Sequence, residues 1–482
     1  MNKSMIRYLL SKLLLIEAVL LLVPVAIAVY YRESSQVFTA LFSTIGILVL
    51  LGGSGSLQKP KNQRIYAKEG VLIVALCWIL WSFFGGLPFV FSGQIPSLID
   101  AFFEISSGFT TTGASILNDI SVLSRSLLFW RSFTHLIGGM GVLVFALAIM
   151  DNAKNSHLEV MKAEVPGPVF GKVVSKLKNT AQILYLLYIA LFSLFSLFVI
   201  IYYLAGMPLY DSFVIAMGTA GTGGFTVYND GIAHYGSSLI TYLVSIGVLV
   251  FGVNFNLYYY LMLRRVKAFF GDEELRAYLV IVLVSTGLIS LNTLYLYPGF
   301  SKSFEMTFFQ VSNIITTTGF GYGDITNWPL FSQFILLFLM AIGGSAGSTA
   351  GGLKIIRGLI LSKIAKNQIL SILSPHRVLT LHVNKMVIDK DTQHKILKYF
   401  VIYAMILLAL IFIVSLDSND FLVVTSAVFS CFNNIGPILG TTSSFSIFSP
   451  ISKILLSFAM IAGRLEIYPI LLLFMKRTWS KR

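Results

Sequence analysis

Charged side chains are scarce in this chain. Asp, Glu, Lys and Arg make up only 12% of the 482 residues, whereas 56% are hydrophobic and the mean hydropathy is +0.82. A soluble domain has about 25% charged residues because water must solvate its surface. The charged fraction of this chain is only half of that value, which excludes a soluble enzyme and predicts a membrane protein whose surface is largely solvated by lipid.

Cysteines and clustered metal ligands are also lacking. The two cysteines, Cys77 and Cys431, lie far apart within apolar stretches. This excludes a disulfide framework and a cysteine-based zinc site. No cluster of His, Asp, Glu or Cys is expected on facing helices, as an integral membrane enzyme would need. We therefore expect no enzymatic activity and no cofactor bound by this chain itself.

The net charge of +14 is unevenly distributed along the sequence. Basic residues occupy both termini and every second linker between apolar runs, whereas the intervening linkers lean acidic. The positive-inside rule produces this alternation in a multi-pass membrane protein, with the basic linkers in the cytoplasm. We attribute the basicity to topology and expect no nucleic-acid partner.

Apolar runs predict ten membrane-spanning helices, most of them near the length of about 20 residues that a bilayer requires. An even number places both basic termini on the cytoplasmic side. The predicted spans are 8–31, 37–53, 71–91, 127–150, 181–204, 239–263, 277–297, 329–342, 396–416 and 454–475.

Four shorter stretches, at 100–114, 211–225, 306–320 and 423–437, form an internal repeat on the acidic, external side. In each stretch a glycine stands 13 residues after the first residue; the glycines are Gly113, Gly224, Gly319 and Gly436. Each stretch is too short to cross a bilayer and lies between two long apolar runs. The pattern predicts an all-α membrane protein with four fused helix–pore-helix–helix repeats around a pseudo-fourfold pore, plus an N-terminal two-helix hairpin. The predicted units are the hairpin (1–69) and the repeats 70–179, 180–275, 276–395 and 396–482.

Loops of irregular backbone at membrane depth indicate an ion pathway. Such backbone is tolerated only where protein buries it or where it lines a water-filled cavity. Rings of carbonyl oxygens can replace the hydration shell of K⁺, and glycine permits the left-handed backbone that such loops need. A threonine before the glycine can add a hydroxyl ligand. The predicted potassium-binding residues are Thr111, Thr112, Gly113, Thr222, Gly223, Gly224, Thr317, Thr318, Gly319, Asn434, Ile435 and Gly436.

These loops carry a resemblance to a known family. The motifs are TTTGAS (110–115), TGGF (222–225), TTTGFGYGD (316–324) and NNIGP (433–437). Through them the chain resembles the Trk/Ktr/HKT superfamily of potassium transporters, and within it the bacterial TrkH branch, over essentially its whole length. The resemblance implies potassium uptake across the bacterial cytoplasmic (inner) membrane. It also implies a homodimer docked on a cytosolic ring of TrkA-like regulatory subunits, which would bind the nucleotide.

Selectivity and transport mode have alternatives. In this family, glycine in all four filter loops goes with K⁺ over Na⁺. The fourth loop has Asn-Ile before Gly436 where the first has Thr-Thr before Gly113. A Na⁺-permeable or weakly selective monovalent cation transporter is therefore the alternative, and both channel and symport mechanisms remain open. A secondary transporter for an organic solute is disfavoured because the four repeats share one orientation.

A glycine-rich segment at 343–353 interrupts the helix after the third filter loop. Glycine costs ~1 kcal/mol relative to alanine in a helix, so a straight lipid-facing helix is not expected there. The resemblance implies an intramembrane gating loop, with Arg464 as a positive barrier beside the ion path. Helix packing of the G-x-x-x-G kind is the alternative for the segment. For Arg464 the alternative is a structural pair with Glu466 or with carbonyls. The predicted gate residues are Gly343, Gly344, Ser345, Gly347, Ser348, Gly351, Gly352 and Arg464.

Three further ionisable residues fall in the first repeat. Arg131 and His135 begin a predicted helix, and we expect them near the membrane interface, where a long side chain can reach water. Glu104 lies in the first pore helix and is expected to brace the filter by hydrogen bonds.

Overall fold

The apolar segments fold into helices, and the part of the chain that the structure describes contains a single two-stranded hairpin. The structure is a computed structural model that describes residues 1–57, 59–62, 65–139, 141, 192–323, 325, 327–374, 379–440 and 444–479. The helices of the first two thirds are α1 (Lys3–Leu20), α2 (Leu22–Tyr30), α3 (Ser35–Ser56), α4 (Ala67–Phe91), α5 (Leu98–Phe109), α6 (Arg125–Gly139), α7 (Phe192–Leu204), α8 (Leu209–Gly221), α9 (Ser238–Phe251), α10 (Phe255–Met262), α11 (Val266–Phe270), α12 (Glu273–Asn292) and α13 (Phe300–Ile315).

The remaining elements are the two-stranded β-hairpin and seven more helices. They are α14 (Leu330–Ile342), α15 (Ile355–Leu373), β1 (His382–Val383), β2 (Met386–Val387), α16 (Lys390–Val414), α17 (Phe421–Phe432), α18 (Pro450–Arg464), α19 (Tyr468–Phe474) and α20 (Lys476–Trp479). Single 3-10 turns lie at Ile120–Val122, Ile232–Tyr235, Leu294–Leu296 and Phe445–Ile447.

The helix–pore-helix–helix order recurs four times. The pore helices are α5, α8, α13 and α17, and each lies in sequence between two other apolar helices. Pore helix α5 packs between α4, α6 and α18, and α8 packs on α6 and α9. Because α18 belongs to the fourth repeat and α5 to the first, the last repeat closes against the first one.

Several helices meet the requirements of a membrane span. Within the described residues, five are long and apolar enough: Lys3–Tyr30, Ser35–Ser56, Lys68–Phe91, Glu273–Asn292 and Lys390–Val414. The chain is accordingly a multi-pass membrane protein. The predicted spans 127–150 and 181–204 lie partly outside the described residues, which include only α6 and α7 from them.

Two predicted spans are broken. The span predicted at 239–263 is two helices, α9 and α10, that meet at an angle of 93°. The Asn254 side chain caps α10 by accepting the Asn256 N–H at 2.9 Å, which starts a new helix instead of continuing the old one. The span predicted at 454–475 ends at Arg464, because Glu466 and Ile467 take φ angles of 55° and 70°. Hydropathy cannot detect these breaks, since apolar residues continue on both sides.

Candidate functional site

All four pore helices end in the same backbone turn. Two residues before the glycine of each repeated stretch, a non-glycine residue adopts a left-handed conformation with φ between 54° and 58°. The glycine itself also has positive φ. The left-handed residues are Thr111, Thr222, Thr317 and Asn434, and the glycines are Gly113 (81°), Gly224 (83°), Gly319 (71°) and Gly436 (110°). The four loops therefore share one conformation despite their different sequences.

Hydrogen bonds within each turn repeat in the same register. The N–H just before the glycine donates to the carbonyl five residues earlier: Thr112 to Ser107, Gly223 to Gly218, Thr318 to Asn313 and Ile435 to Ser430, at 2.8–2.9 Å. The left-handed residue donates to the carbonyl three residues earlier in every loop. These two bonds are those of a Schellman motif, which ends a helix and turns the chain away from its axis. A left-handed β-branched threonine is strained, so the surrounding protein must hold it in place.

The four loops meet in a closed ring. A Cβ atom added at Gly113 would lie 2.2 Å from the Gly223 carbonyl oxygen, and one at Gly224 would lie 2.0 Å from the Thr318 carbonyl oxygen. The ring continues from Gly319 to the Ile435 carbonyl oxygen at 1.8 Å. It closes from Gly436 to the Thr112 carbonyl oxygen at 2.6 Å. Each glycine thus faces the carbonyl that precedes the glycine of the next loop, and no larger residue fits there.

The carbonyl oxygens of this ring have no hydrogen-bond donors among the described residues. This holds for all twelve residues at 111–113, 222–224, 317–319 and 434–436. The residues are buried or half-buried. Buried carbonyl groups are almost always paired, because an unpaired one costs about 1–3 kcal/mol. A dehydrated cation is a group that satisfies many converging carbonyls at once.

The threonine hydroxyls, in contrast, have protein partners. The Oγ1 atoms of Thr112 and Thr318 lie 2.7 and 2.8 Å from those of Thr110 and Thr316. The Thr222 hydroxyl donates to the Gly221 carbonyl at 2.6 Å. The fourth loop joins this network, because the Asn434 amide donates to the Thr112 hydroxyl at 3.0 Å. The geometry therefore favours main-chain carbonyls over side-chain hydroxyls as the ion ligands.

A buried ion pair supports the first loop from behind. The Arg131 side chain is 2% exposed and donates from Nε to Glu104 Oε1 at 2.6 Å. Glu104 also accepts the Ser115 hydroxyl and the Ile116 N–H, both at 2.9 Å. Glu104 thus braces the chain just after the filter turn, whereas the interfacial position predicted for Arg131 is wrong. An ionisable residue inside an apolar segment was the sequence signal for this pair.

His135 is also buried, contrary to the prediction of an interfacial position. Its Nδ1 lies 2.8 Å from the Gly108 carbonyl oxygen of the first pore helix, and its Nε2 accepts the Phe225 N–H at 3.3 Å. A Cβ atom on Gly223 would lie 2.2 Å from His135 Cγ. His135 therefore ties the first repeat to the second filter loop.

We expect Glu104→Ala to destabilise the protein strongly. The substitution leaves the Arg131 guanidinium buried without its carboxylate, which typically costs about 3–5 kcal/mol. The effect is measured as the melting temperature of the detergent-purified protein, with unfolding monitored by size-exclusion chromatography after heating. Asp230→Ala is the matched control, because that carboxylate is 57% exposed and pairs with His234 at the surface. Equal melting temperatures for the two variants would contradict the bracing role.

The glycine-rich segment forms a folded loop directly below the filter. We call residues 343–354 the gate loop; they are non-helical and almost entirely buried. A Cβ atom on Gly343 would lie 2.2 Å from the Gly351 carbonyl oxygen, so the two ends of the loop meet. Gly351 N–H donates to the Thr317 hydroxyl of the third filter loop at 2.6 Å. The G-x-x-x-G helix-packing alternative is wrong, since Gly343 and Gly347 take positive φ angles of 72° and 70°.

The gate loop is seated in the break between α9 and α10. Ser345 N–H donates to the Gly252 carbonyl at 3.2 Å, and Phe255 N–H donates to the Gly347 carbonyl at 3.0 Å. The Thr349 hydroxyl donates to the Phe251 carbonyl at 3.3 Å. The bend in the second repeat therefore supplies the backbone groups that hold a loop of the third repeat.

Arg464 reaches the gate loop from the end of α18. It donates to the Thr349 carbonyl at 2.7 Å, to the Gly138 carbonyl at 2.6 Å and to the Thr111 hydroxyl at 3.4 Å. Of the two alternative partners, the carbonyls are confirmed, whereas Glu466 pairs with Arg357. Arg464 thus joins the gate loop, the end of α6 and the first filter loop.

Sequence reasoning missed two further residues at the gate loop, Lys354 and Glu274. Lys354 is 3% exposed, has a positive φ of 76° and donates through Nζ to the Ala350 carbonyl. Glu274 accepts hydrogen bonds from Ala346 and Ile356. Both are ionisable residues near apolar segments, and this signal could have found them.

The fold is shared with a known transporter, and the sequence is related to known transport proteins. The family model described as TrkH, cation transport protein, matches residues 34–481. The chain is 31% identical to the Trk system potassium uptake protein TrkG of Escherichia coli (strain K12), covering 95% of each chain. It is also 31% identical to the Trk system potassium uptake protein TrkH of Salmonella typhimurium, covering 96% of each. The crystal structure of the potassium transporter TrkH from Vibrio parahaemolyticus matches all of both chains, with a TM-score of 0.88 and 28% identity. This likeness confirms the predicted all-α membrane fold.

Proposed function

Because the chain belongs to the TrkH family of cation transport proteins, we propose that it takes up potassium ions through the ring of four filter loops. The Trk relatives are potassium uptake proteins by name. We place the protein in the bacterial cytoplasmic membrane, with both termini in the cytoplasm, because its basic linkers follow the positive-inside rule.

This proposal rests on the main-chain carbonyls of the four filter loops, which accept no hydrogen bond from the described part of the chain. The twelve residues are buried or half-buried, and the four loops that carry them meet with one shared backbone geometry. Each pore helix ends at this ring, so its carboxyl-terminal partial negative charge favours a cation there. The membrane potential then drives inward movement, at about 2.3 kcal/mol per charge for each 100 mV.

The gate loop and Arg464 obstruct the path below the filter in this proposal. The loop contacts the third filter loop through Gly351, and Arg464 adds a positive charge beside the first. Uptake therefore requires the loop to move. We further propose that the protein works as a homodimer on a ring of cytosolic, nucleotide-binding regulatory subunits.

Growth of a bacterium that lacks its own potassium uptake systems tests the function. We expect the wild-type chain, expressed with a matching regulatory subunit, to restore growth at limiting K⁺. The same strain is grown with high Na⁺ to test the alternative of a Na⁺-permeable or weakly selective transporter. Failure to restore growth, with folded protein in the membrane and a partner shown to bind, would remove potassium as the substrate.

A further inference from the structure

Glu274 holds both ends of the gate loop. It lies in the first turn of α12, is 4% exposed, and belongs to neither the filter nor the gate loop. Its Oε1 atom accepts the Ala346 N–H at 2.8 Å, near the start of the loop. The same atom accepts the Ile356 N–H at 3.2 Å, just after the end of the loop. Ile356 is in the first turn of α15, where the helix dipole also favours a carboxylate. One oxygen atom therefore fixes the distance between the two ends.

The turn that carries Glu274 is bound to the hairpin formed by β1 and β2. Asn384, at the tip of the hairpin, accepts the Glu273 N–H through Oδ1 at 2.8 Å and donates to Asp272 Oδ2 at 2.7 Å. Its own N–H donates to Glu273 Oε1 at 3.1 Å. Lys363 adds a link, since its Nζ donates to the Glu273 carboxylate and to the His382 carbonyl. The start of α12 thus moves with the hairpin.

The hairpin also packs against the gate loop directly. Buried apolar side chains from the hairpin segment, the gate loop and the first turns of α15 and α16 form one hydrophobic cluster. Its members are Ala346, Ile356, Ile360, Leu381, Val383, Ile388 and Ile396. The opposite face of the hairpin is exposed, including Val387, which is 64% accessible. A displacement applied to that face is therefore transmitted to the loop by hydrogen bonds and by packing.

We propose that Glu274 is a positioning residue that clasps the gate loop shut, and that the hairpin controls this clasp through Asn384. The proposal deepens the proposed function, because it names what holds the same gate. Pulling the hairpin displaces the first turn of α12 and separates Glu274 from Ala346 and Ile356. The loop then loses its two bonds to Glu274 and keeps those to the α9–α10 break, the third filter loop and Arg464, so its release from the underside of the filter becomes easier.

Potassium flux into liposomes containing the purified chain, without a regulatory partner, tests the clasp. We expect Glu274→Ala to raise basal flux about tenfold, since charge-assisted hydrogen bonds of this kind shift an equilibrium by that factor. Glu274→Gln should raise flux less than Glu274→Ala, because its amide oxygen can still accept both N–H groups although it carries no charge. Asn384→Ala should raise flux in the same direction. The double variant should raise flux by less than the product of the two single fold-increases, because Asn384 acts through Glu274.

The control is Asp391→Asn, an exposed acidic residue in the first turn of α16. The K⁺/Na⁺ flux ratio should be unchanged in every variant, whereas a general loss of structure would alter it. Wild-type basal flux in both Glu274→Ala and Asn384→Ala would overturn the clasp, and if Glu274→Ala does not fold, Asn384→Ala decides alone.

A second readout separates this proposal from the function itself. With Ser348→Cys as the reporter in the gate loop, Glu274→Ala should speed modification by a thiol reagent, even if the protein carried an ion other than K⁺. Absence of K⁺ flux in the wild type would contradict the proposed function. An unchanged modification rate would contradict the clasp.

Discussion

Gly319→Ala will weaken potassium uptake by at least about tenfold while leaving the protein folded in the membrane. The added Cβ would lie 1.8 Å from the Ile435 carbonyl oxygen and 2.6 Å from Pro437 Cδ, and Gly319 has a φ of 71°. The Ile435 oxygen is one of the donor-free carbonyls of the ring, so the methyl group must displace a proposed ion ligand. Because the clash is with backbone, no side-chain rotation relieves it.

Gly321→Ala is a closely matched control two residues later in the same loop. A Cβ atom at Gly321 has no neighbour within 4 Å and needs no positive φ. We expect it to support growth at limiting K⁺ like the wild type, whereas Gly319→Ala should need at least about tenfold more K⁺, as the loss of one well-placed ligand is worth over 1.4 kcal/mol. Surface amounts of the two variants are compared by immunoblot. Equal growth of both would exclude a filter at Gly319.

The four glycine turns of the proposed filter could be located from sequence because their geometry is local. A Schellman turn sets the position of the glycine relative to the end of each pore helix, and the close approach at the ring selects glycine. That position is kept even in the fourth loop, where Asn434 replaces threonine and takes the same left-handed conformation. The role of the threonine hydroxyls could not be predicted, since it depends on neighbours such as Asn434 that lie more than 300 residues away in sequence.

The gate is less predictable because its contacts are long-range. The glycines at 343–352 show that a helix must break, and the loop is indeed non-helical. They do not show that the break between α9 and α10 receives the loop, or that Glu274 bonds to both ends. Likewise, Arg131 was expected near water because its partner Glu104 is 27 residues away, on another helix. Hydropathy identifies which segments are apolar, but the pairing of buried polar groups is decided by the tertiary fold.

Two substitutions of Arg464 should distinguish the effect of its charge on K⁺ flux from the effect of its hydrogen bonds. Arg464 bridges the Thr349 and Gly138 carbonyls, so it both holds the gate loop and places a positive charge near the first filter loop. A unit charge about 6 Å from a passing monovalent cation contributes about 3 kcal/mol at an effective dielectric constant of about 20. Arg464→Ala removes both effects and should raise K⁺ flux into liposomes by more than about tenfold.

Arg464→Lys keeps the charge but loses the planar fork that reaches two carbonyls at once. If the charge dominates the barrier, the lysine variant should have nearly wild-type flux. If the hydrogen bonds to the loop dominate, it should approach the alanine variant. Arg477→Ala, in the exposed carboxyl-terminal helix α20, is the control for removing a positive charge elsewhere. Wild-type flux in Arg464→Ala would show that neither the charge nor the bridge limits permeation, and the barrier would then rest on the backbone of the gate loop alone.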